Sequence, residues 1–432
     1  MVTGGPHQDF LPQGAESYTK IIIISAGSRG DVQPYVALGK GLNTAGYSVG
    51  MLASEDYRSL ITTHGLDFID MGGSMQGVAQ SMQGMLEQGN MLRILASMGS
   101  ASQKLAIQAV KSGLEACRGA DLVIAGLGGF FVGLTLAEKL GLPFVPAFLY
   151  PLSPTKEFPG VLAPQGMIPA WANRFSHRMV QQMMWRTFRG ADNKVRRELL
   201  EMKPLPAAGP FPMMDSKQQT TLYGYSPHVI PVPQDWSEHN HVTGYWLLDP
   251  SSSWEAPADL LKFLAAGPPP VYIGFGSMVH RSAEETTALI MQALRKSGQR
   301  GVLSAGWGGL KDGNQAEDVY MVESIPHTWL FPRMAAVVHH GGVGTTAAGF
   351  WAGVPSIIIP HFGDQPFWGR KAYELGVGTK PIPKRRLNVD LLAEAIQKAV
   401  SDSGMRKQAT KLGESIRSED GVKCAVEVLE HI

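Results

Sequence analysis

The stretch HHGGVGTTAAGFWAGVPSIIIPHFGDQPFWGRK occupies residues 339–371. It reads as a strand end, a glycine-rich loop, a helix, a second strand and a loop carrying Asp364-Gln365. Gly341, Gly342 and Gly344 let backbone N–H groups approach a ligand closely, and a helix from about Thr345 offers its positive end. Thr345 adds a hydroxyl. His340 adds a ring nitrogen that can donate and offset charge on a leaving phosphate. That set suits a diphosphate held without metal. Asp364 and Gln365 suit a sugar, because a carboxylate accepts hydrogen bonds while a carboxamide both donates and accepts. Each half also has a plainer reading: a strand–helix turn for the glycines, and a local turn bond for Asp364. Together they imply a nucleotide-sugar site.

Working outward, KIIIIS (residues 20–25) is a β-branched run of the kind that forms a strand buried on both faces. The turn AGSRGDVQP, a helical spacing over 35–45 and a strand over 47–53 complete a βαβ unit. The alternation continues with strands at 121–125 and 144–149 around a helix at 130–140. A second series begins with VYIGFGSM (271–278) and continues through strands at 301–305, 319–322, 335–339 and 356–359. Helices are expected at 283–296, 387–400 and 406–430. The fold class is therefore α/β, with two Rossmann-like domains facing each other across a cleft. The expected division is a flexible tail at 1–18, a first domain at 19–240, a linker at 241–254, a second domain at 255–405 and a final helix at 406–432. Three loops, AGSRGD, GFGS and HHGGVGTT, fall at the carboxyl ends of strands, where such sheets bind ligands.

Two regions depart from the alternation. Residues 151–215 hold many prolines and an apolar-basic segment with Met179, Met183, Met184 and Trp185, which reads as an insertion of helices and loops. Met71, Met75, Met82, Met85, Met91 and Met98 are interspersed with Gly, Gln and Ser. They suit either a lid over an apolar acceptor or loose helical packing.

With a net charge of +1, no strong overall field recruits nucleic acid or anionic membrane. Two distant cysteines, Cys117 and Cys424, do not make a disulfide framework and fit a reducing, cytoplasmic setting. No apolar run approaches the ~20 residues of a membrane span, so any membrane contact is expected to be peripheral. Among the 12 histidines, His339-His340 and His239/His241 are the only close groups, and neither has a metal-ligand pattern. No metal and no cofactor are expected.

Residues 340–369 resemble the donor signature of the UDP-dependent glycosyltransferases, in particular the sterol 3β-glucosyltransferase pattern HGGxGTTxxGxxxGxPxxxxPxFGDQxFWG. Ser277 in GFGS, SIPHTWLFP (324–332) and GSRGDVQPYVALGKGL (27–42) extend the resemblance to both halves of the chain. It implies the two-domain GT-B fold, with the donor in the second domain and the last helix returning to the first. His340, Gly342, Gly344, Thr345 and Ser277 would hold the diphosphate. Ile325 would meet uracil through its backbone, with His327 nearby. Asp364 and Gln365 would hold the hexose, and the pair implies UDP-glucose as co-substrate. Two departures stand out. Ser324 occupies a place where an aromatic would stack on uracil, leaving Trp307 as a substitute. Ala348 stands where some relatives have a ribose-binding Glu.

Inverting transfer needs a base for the acceptor hydroxyl. Many relatives use the His of a GHxxP loop; here Gly30-Asp31 precedes Val32, Gln33 and Pro34, so Asp31 takes the His position. An unperturbed Asp has a pKa of ~3.9 and is ionised at neutral pH. Asp31 also suits a helix N-cap. Ser28 and Arg29 share the loop, and Arg29 can reach a diphosphate across the cleft or remain a solvated charge. The expectation is a metal-independent glucosyltransferase acting on a hydrophobic acceptor: sterol-like, lipid or phenolic. The alternatives are a UDP-sugar epimerase on the same fold, a weakly signalled NAD-dependent enzyme, and a non-enzymatic binder of lipid or UDP-sugar.

Overall fold

A computed structural model describes residues 20–73, 105–164, 166–275, 283–304 and 317–432. Ile21 to Ile24 are wholly buried in β1 (Lys20–Ile24), the centre of a parallel sheet. The neighbours are β2 (Ser48–Ala53), β3 (Asp67–Asp70), β4 (Leu122–Ala125), β5 (Phe144–Phe148), β6 (Thr221–Tyr223) and β7 (Asn240–Val242). Their order is β3-β2-β1-β4-β5-β6-β7. A second parallel sheet, ordered β10-β9-β8-β11-β12, comprises β8 (Val271–Gly274), β9 (Gly301–Ser304), β10 (Val319–Val322), β11 (Ala336–His339) and β12 (Ser356–Ile358). In both sheets the order reverses beside the first strand. The ligand crevice of such a sheet opens at that point, at the strands' carboxyl ends.

The helices that matter here are α1 (Arg29–Thr44), α2 (Phe130–Leu140), α3 (Asn173–Lys194), α4 (Ala283–Ser297), α5 (Val343–Ala352), α6 (Gln365–Glu374), α7 (Val389–Ser401), α8 (Ser403–Arg417) and α9 (Gly421–Leu429). The two expected Rossmann-like domains are present. Truncating a fully buried isoleucine such as Ile22 to alanine costs about 2–5 kcal/mol.

Several local expectations change. The single helix expected over 406–430 is two, because Asp420 accepts from the Lys423 N–H and caps a new start. The first, α8, packs on α5 of the second domain, and α9 packs on α1 of the first. The expected linker begins inside β7, and Tyr245, Trp246 and Leu248 beyond it are buried in the first domain's core. That segment is packed wall rather than loose tether. Of the expected methionine lid, Met71 is buried core; the other five methionines lie outside the described residues.

Candidate active site

The loop after β1 closes on itself. Ser28 is the N-cap of α1, which starts at Arg29, six residues earlier than the helical spacing suggested. Asp31 is therefore a first-turn residue and not the cap. Its Oδ2 accepts from the Ser28 backbone N–H at 2.7 Å and from Ser28 Oγ at 2.8 Å, a capping-box arrangement. Ser25 Oγ donates to the Asp31 carbonyl at 2.7 Å. Gly27 sits at φ +137°, and a Cβ there would lie 2.5 Å from Asp31 Oδ2. Only glycine fits both demands. Burial raises the Asp31 pKa, and the two Ser28 bonds oppose that rise.

The loop after β11 stays open. His339 Nδ1 accepts from the Gly341 N–H at 3.1 Å. Gly342 is the N-cap of α5 and has no side chain to offer its first N–H groups. A Cβ on Gly342 would lie 2.5 Å from His340 Nε2, so the ring sits over the bare cap. His339 Nε2 and His340 Nδ1 are buried without a partner. Such orphans are rare in a finished interior. Burial pushes the His340 pKa down to about 4. His340 is thus neutral at neutral pH and can donate a hydrogen bond.

The two domains meet here. A Cβ on Gly344 would lie 3.1 Å from Gly30 Cα, so the first turns of α5 and α1 touch. Arg29 spans the cleft: its Nη1 donates to Ser324 Oγ at 2.8 Å, and its Nε donates to Gln33 Oε1 at 3.1 Å. Ser324 is a bridge between domains, which explains a polar residue where an aromatic was expected. His327 stacks on Phe331 at 4.3 Å, and its Nε2 lies 3.3 Å from Tyr272 Oη. Burial, then the charge of Arg29, lowers its pKa to about 3. Ile325 packs partly buried into the cluster around Leu330 and Phe331. Thr345 is half-buried in the first turn of α5.

Asp364 caps α6, and its Oδ2 accepts from Trp368 Nε1 at 2.9 Å. Gln365 Oε1 accepts from the backbone N–H groups of His361 (2.7 Å) and Phe362 (3.2 Å). Its acceptor is turned inward to hold the loop, so only its NH2 group remains for a ligand. This narrows the expected grip on sugar hydroxyls: Asp364 accepts and Gln365 donates. Burial, and then the charge of Asp31, pushes the Asp364 pKa up to about 7. The two carboxylates, far apart in sequence, share one cleft.

Tyr150 is a site residue that sequence reasoning missed. It follows β5, and the charges of Asp364 and Asp31 both act on its phenol, which burial already holds well above its ordinary pKa. Ser277 and Trp307 lie outside the described residues. Among the described residues no group of three or more His, Cys, Asp or Glu has metal-site geometry.

Two family models match the chain: the glycosyltransferase family 28 N-terminal domain over residues 21–159, and the erythromycin biosynthesis protein CIII-like C-terminal domain over 311–432. The sterol 3-beta-glucosyltransferase UGT80B1 of Arabidopsis thaliana is 37% identical over 94% of this chain and 67% of its own length. The chain belongs to the sterol 3-beta-glucosyltransferase family. UGT80A2 of the same plant is 36% identical over 94% of this chain and 64% of its own length. The chain thus spans about two thirds of these two sterol 3-beta-glucosyltransferases. Solved structures agree on the GT-B fold. The glycosyltransferase of kitacinnamycin superposes with a TM-score of 0.68 at 17% identity, covering 96% of this chain and 99% of its own. VinC, solved in complex with dTDP, superposes at 0.64 and 17% identity, covering 95% and 98%.

Proposed function

We propose that the chain transfers glucose from UDP-glucose to a hydroxyl of a hydrophobic acceptor, sterol-like, lipid or phenolic, with inversion. One observation carries the reading: the bare N-terminus of α5 and the Asp364 carboxylate of the second domain share one cleft with the Asp31 carboxylate of the first. The diphosphate sits at the α5 N-terminus, with donors from the Gly342–Thr345 backbone, the Thr345 hydroxyl and neutral His340. Arg29 supplies the cation from the opposite domain. Ser277 adds a contact to the diphosphate. Uracil lies against the Ile325 backbone beside His327. Asp364 accepts from, and the Gln365 amide donates to, sugar hydroxyls. VinC's diphosphate complex supports a nucleotide donor on this fold, and the sterol enzymes support a sterol-like acceptor.

In the transfer step, Asp31 takes the proton as the acceptor oxygen bonds to the anomeric carbon. The bond from that carbon to the phosphate oxygen breaks, and UDP leaves with the electron pair. Burial raises the Asp31 pKa, which makes it a stronger base than an exposed carboxylate, while the Ser28 bonds favour its ionised form and aim it. No divalent metal takes part, and the enzyme works in the cytoplasm.

The test is UDP release from UDP-glucose in EDTA with a panel of sterols, phenols and hydroxy-lipids, wild type against Asp31→Asn. Asparagine keeps an acceptor for the Ser28 cap but cannot take a proton. Acceptor-dependent release that survives EDTA and collapses in the variant supports the reading. Wild-type rates in the variant would reduce Asp31 to a capping residue.

A further inference from the structure

Helix α3 carries an unpartnered face that the transfer chemistry does not use. Trp171 at its entry is 87% exposed, Phe175 63%, Met179 56% and Met183 49%. A spacing of four residues puts all of them on one side of the helix. The opposite side, with His177, Val180, Met184 and Trp185, is buried in the first domain. A docked helix has already buried its apolar stripe, so a second outward one marks an interaction surface.

Charge selects the partner. Arg174, Arg178, Arg186 and Arg189 are exposed on the same helix, and no acidic residue occurs between Glu157 and Asp192; from other elements, Asp215 acts on Arg174 and Arg178, and Asp235 on Arg174, without a close ion pair. Among the described residues, none of the four arginines forms an ion pair within 4.0 Å. A chain of net charge +1 has concentrated four cations around one apolar strip. A second copy docked by the same face would bring the arginine sets together, which disfavours a symmetric dimer. An anionic lipid surface satisfies both features: the aromatic and thioether side chains enter the headgroup boundary and the arginines meet phosphates.

The strip also points toward the cleft. Met167, 79% exposed, precedes it, and the neighbouring Gly166 backbone lies against the Arg370 guanidinium of α6, the helix that Asp364 caps. Phe362, 55% exposed, stands two residues before Asp364. We propose that Trp171, Phe175, Met179 and Met183, with the flanking arginines, dock the protein on an anionic bilayer with the cleft mouth beside the lipid. The docking stands on its own. That it loads acceptor directly from the membrane rests on the hydrophobic-acceptor reading above.

The experiment is flotation of the full chain with phosphatidylcholine vesicles, without and with ~30 mol% phosphatidylglycerol. Anionic vesicles should retain ~10-fold more protein than neutral ones, and salt should weaken the retention. The pair Trp171→Ser and Phe175→Ser should lower retention ~10-fold. The pair Arg178→Gln and Arg189→Gln should remove most of the anionic preference. All four positions are exposed, so melting temperature should not move; the salt slope of the arginine pair gives a second readout if the apolar pair fails to fold. Absence of flotation with either vesicle would overturn the proposal, as would wild-type flotation by both variants. A dimer in light scattering that the Trp171/Phe175 pair abolishes would assign the face to a second copy instead. Flotation needs no turnover, so an inactive protein that floats separates this proposal from the catalytic one.

Discussion

The loops after β1 and β11 have the same construction, strand to glycine-rich turn to helix, and opposite hydrogen-bond economies. The first supplies its own anion: the Asp31 carboxylate lies over the Ser28 amide at the N-terminus of α1. The second has glycine at the cap of α5, leaves the helix's first N–H groups without a side-chain partner, and buries two unpartnered imidazole nitrogens beside them. A helix N-terminus attracts one anion well. The α1 end already holds a carboxylate, which the proposed reaction uses as its base, while the α5 end is where the proposal seats the phosphates. The proposed division of labour rests on which of two like turns is left incomplete.

The largest expected effect comes from breaking the first loop's chemistry while keeping its shape. Asp31→Asn should lower kcat ~10³-fold, within the range for loss of a general base, with donor KM changed less than threefold on the order expected for an untouched site. Steady-state kinetics over a UDP-glucose series would show the split. An Asp31→Asn enzyme that lost donor affinity instead would place Asp31 on the wrong side of the comparison.

Next is making the second loop resemble the first. Gly342→Ser gives α5 a capping hydroxyl and crowds His340 Nε2, which a Cβ would approach to 2.5 Å. UDP affinity should fall ~10–100-fold, on the order of 1.4–2.7 kcal/mol, while the helix itself is no less stable. Gly27→Ala strains the first loop directly, through φ +137° and the contact with Asp31 Oδ2. Denaturant melts should show a loss of about 1–3 kcal/mol, together with reduced turnover as the carboxylate is displaced.

The smallest effect sharpens the electrostatic link between the two sides. Asp364 titrates at about 7 in the fold and at ~3.9 unfolded, so the folded chain binds its proton more tightly. Its contribution to stability is full below pH ~4 and is lost as pH rises through about 7. Asp364→Asn removes that loss and should raise the melting temperature at pH 8 relative to pH 5. The group is half-buried, so the gain is discounted to ~1 kcal/mol, or ~2–4 °C. An equal shift at both pH values would remove the charge coupling from the account.

Much of this was legible in the sequence. β-branched runs ended by glycine marked β1, β4 and β8, and the spacing over 130–140 gave α2 to the residue. β6 and β7 were not legible, because three-residue strands carry too little periodicity to register. The start of α1 was misplaced although its signal was present: Ser28 and Asp31 spell the S-x-x-D of a capping box. Tyr150 had no local signature, since its setting is made by Asp31 and Asp364, distant in the chain. The Arg29–Ser324 bridge joins residues 295 apart in the chain, one in each domain, and no local pattern signals it. The exposed stripe on α3 was partly visible as Met179 and Met183, but which methionines face outward depends on what the other face packs against.

The central claim is tested most directly by calorimetric titration of UDP into wild type, Asp31→Asn and Gly342→Ser. The account predicts wild-type affinity in Asp31→Asn and ~10–100-fold weaker binding in Gly342→Ser. Unchanged binding in Gly342→Ser, with loss in Asp31→Asn, would contradict it and move the diphosphate to the α1 side of the cleft.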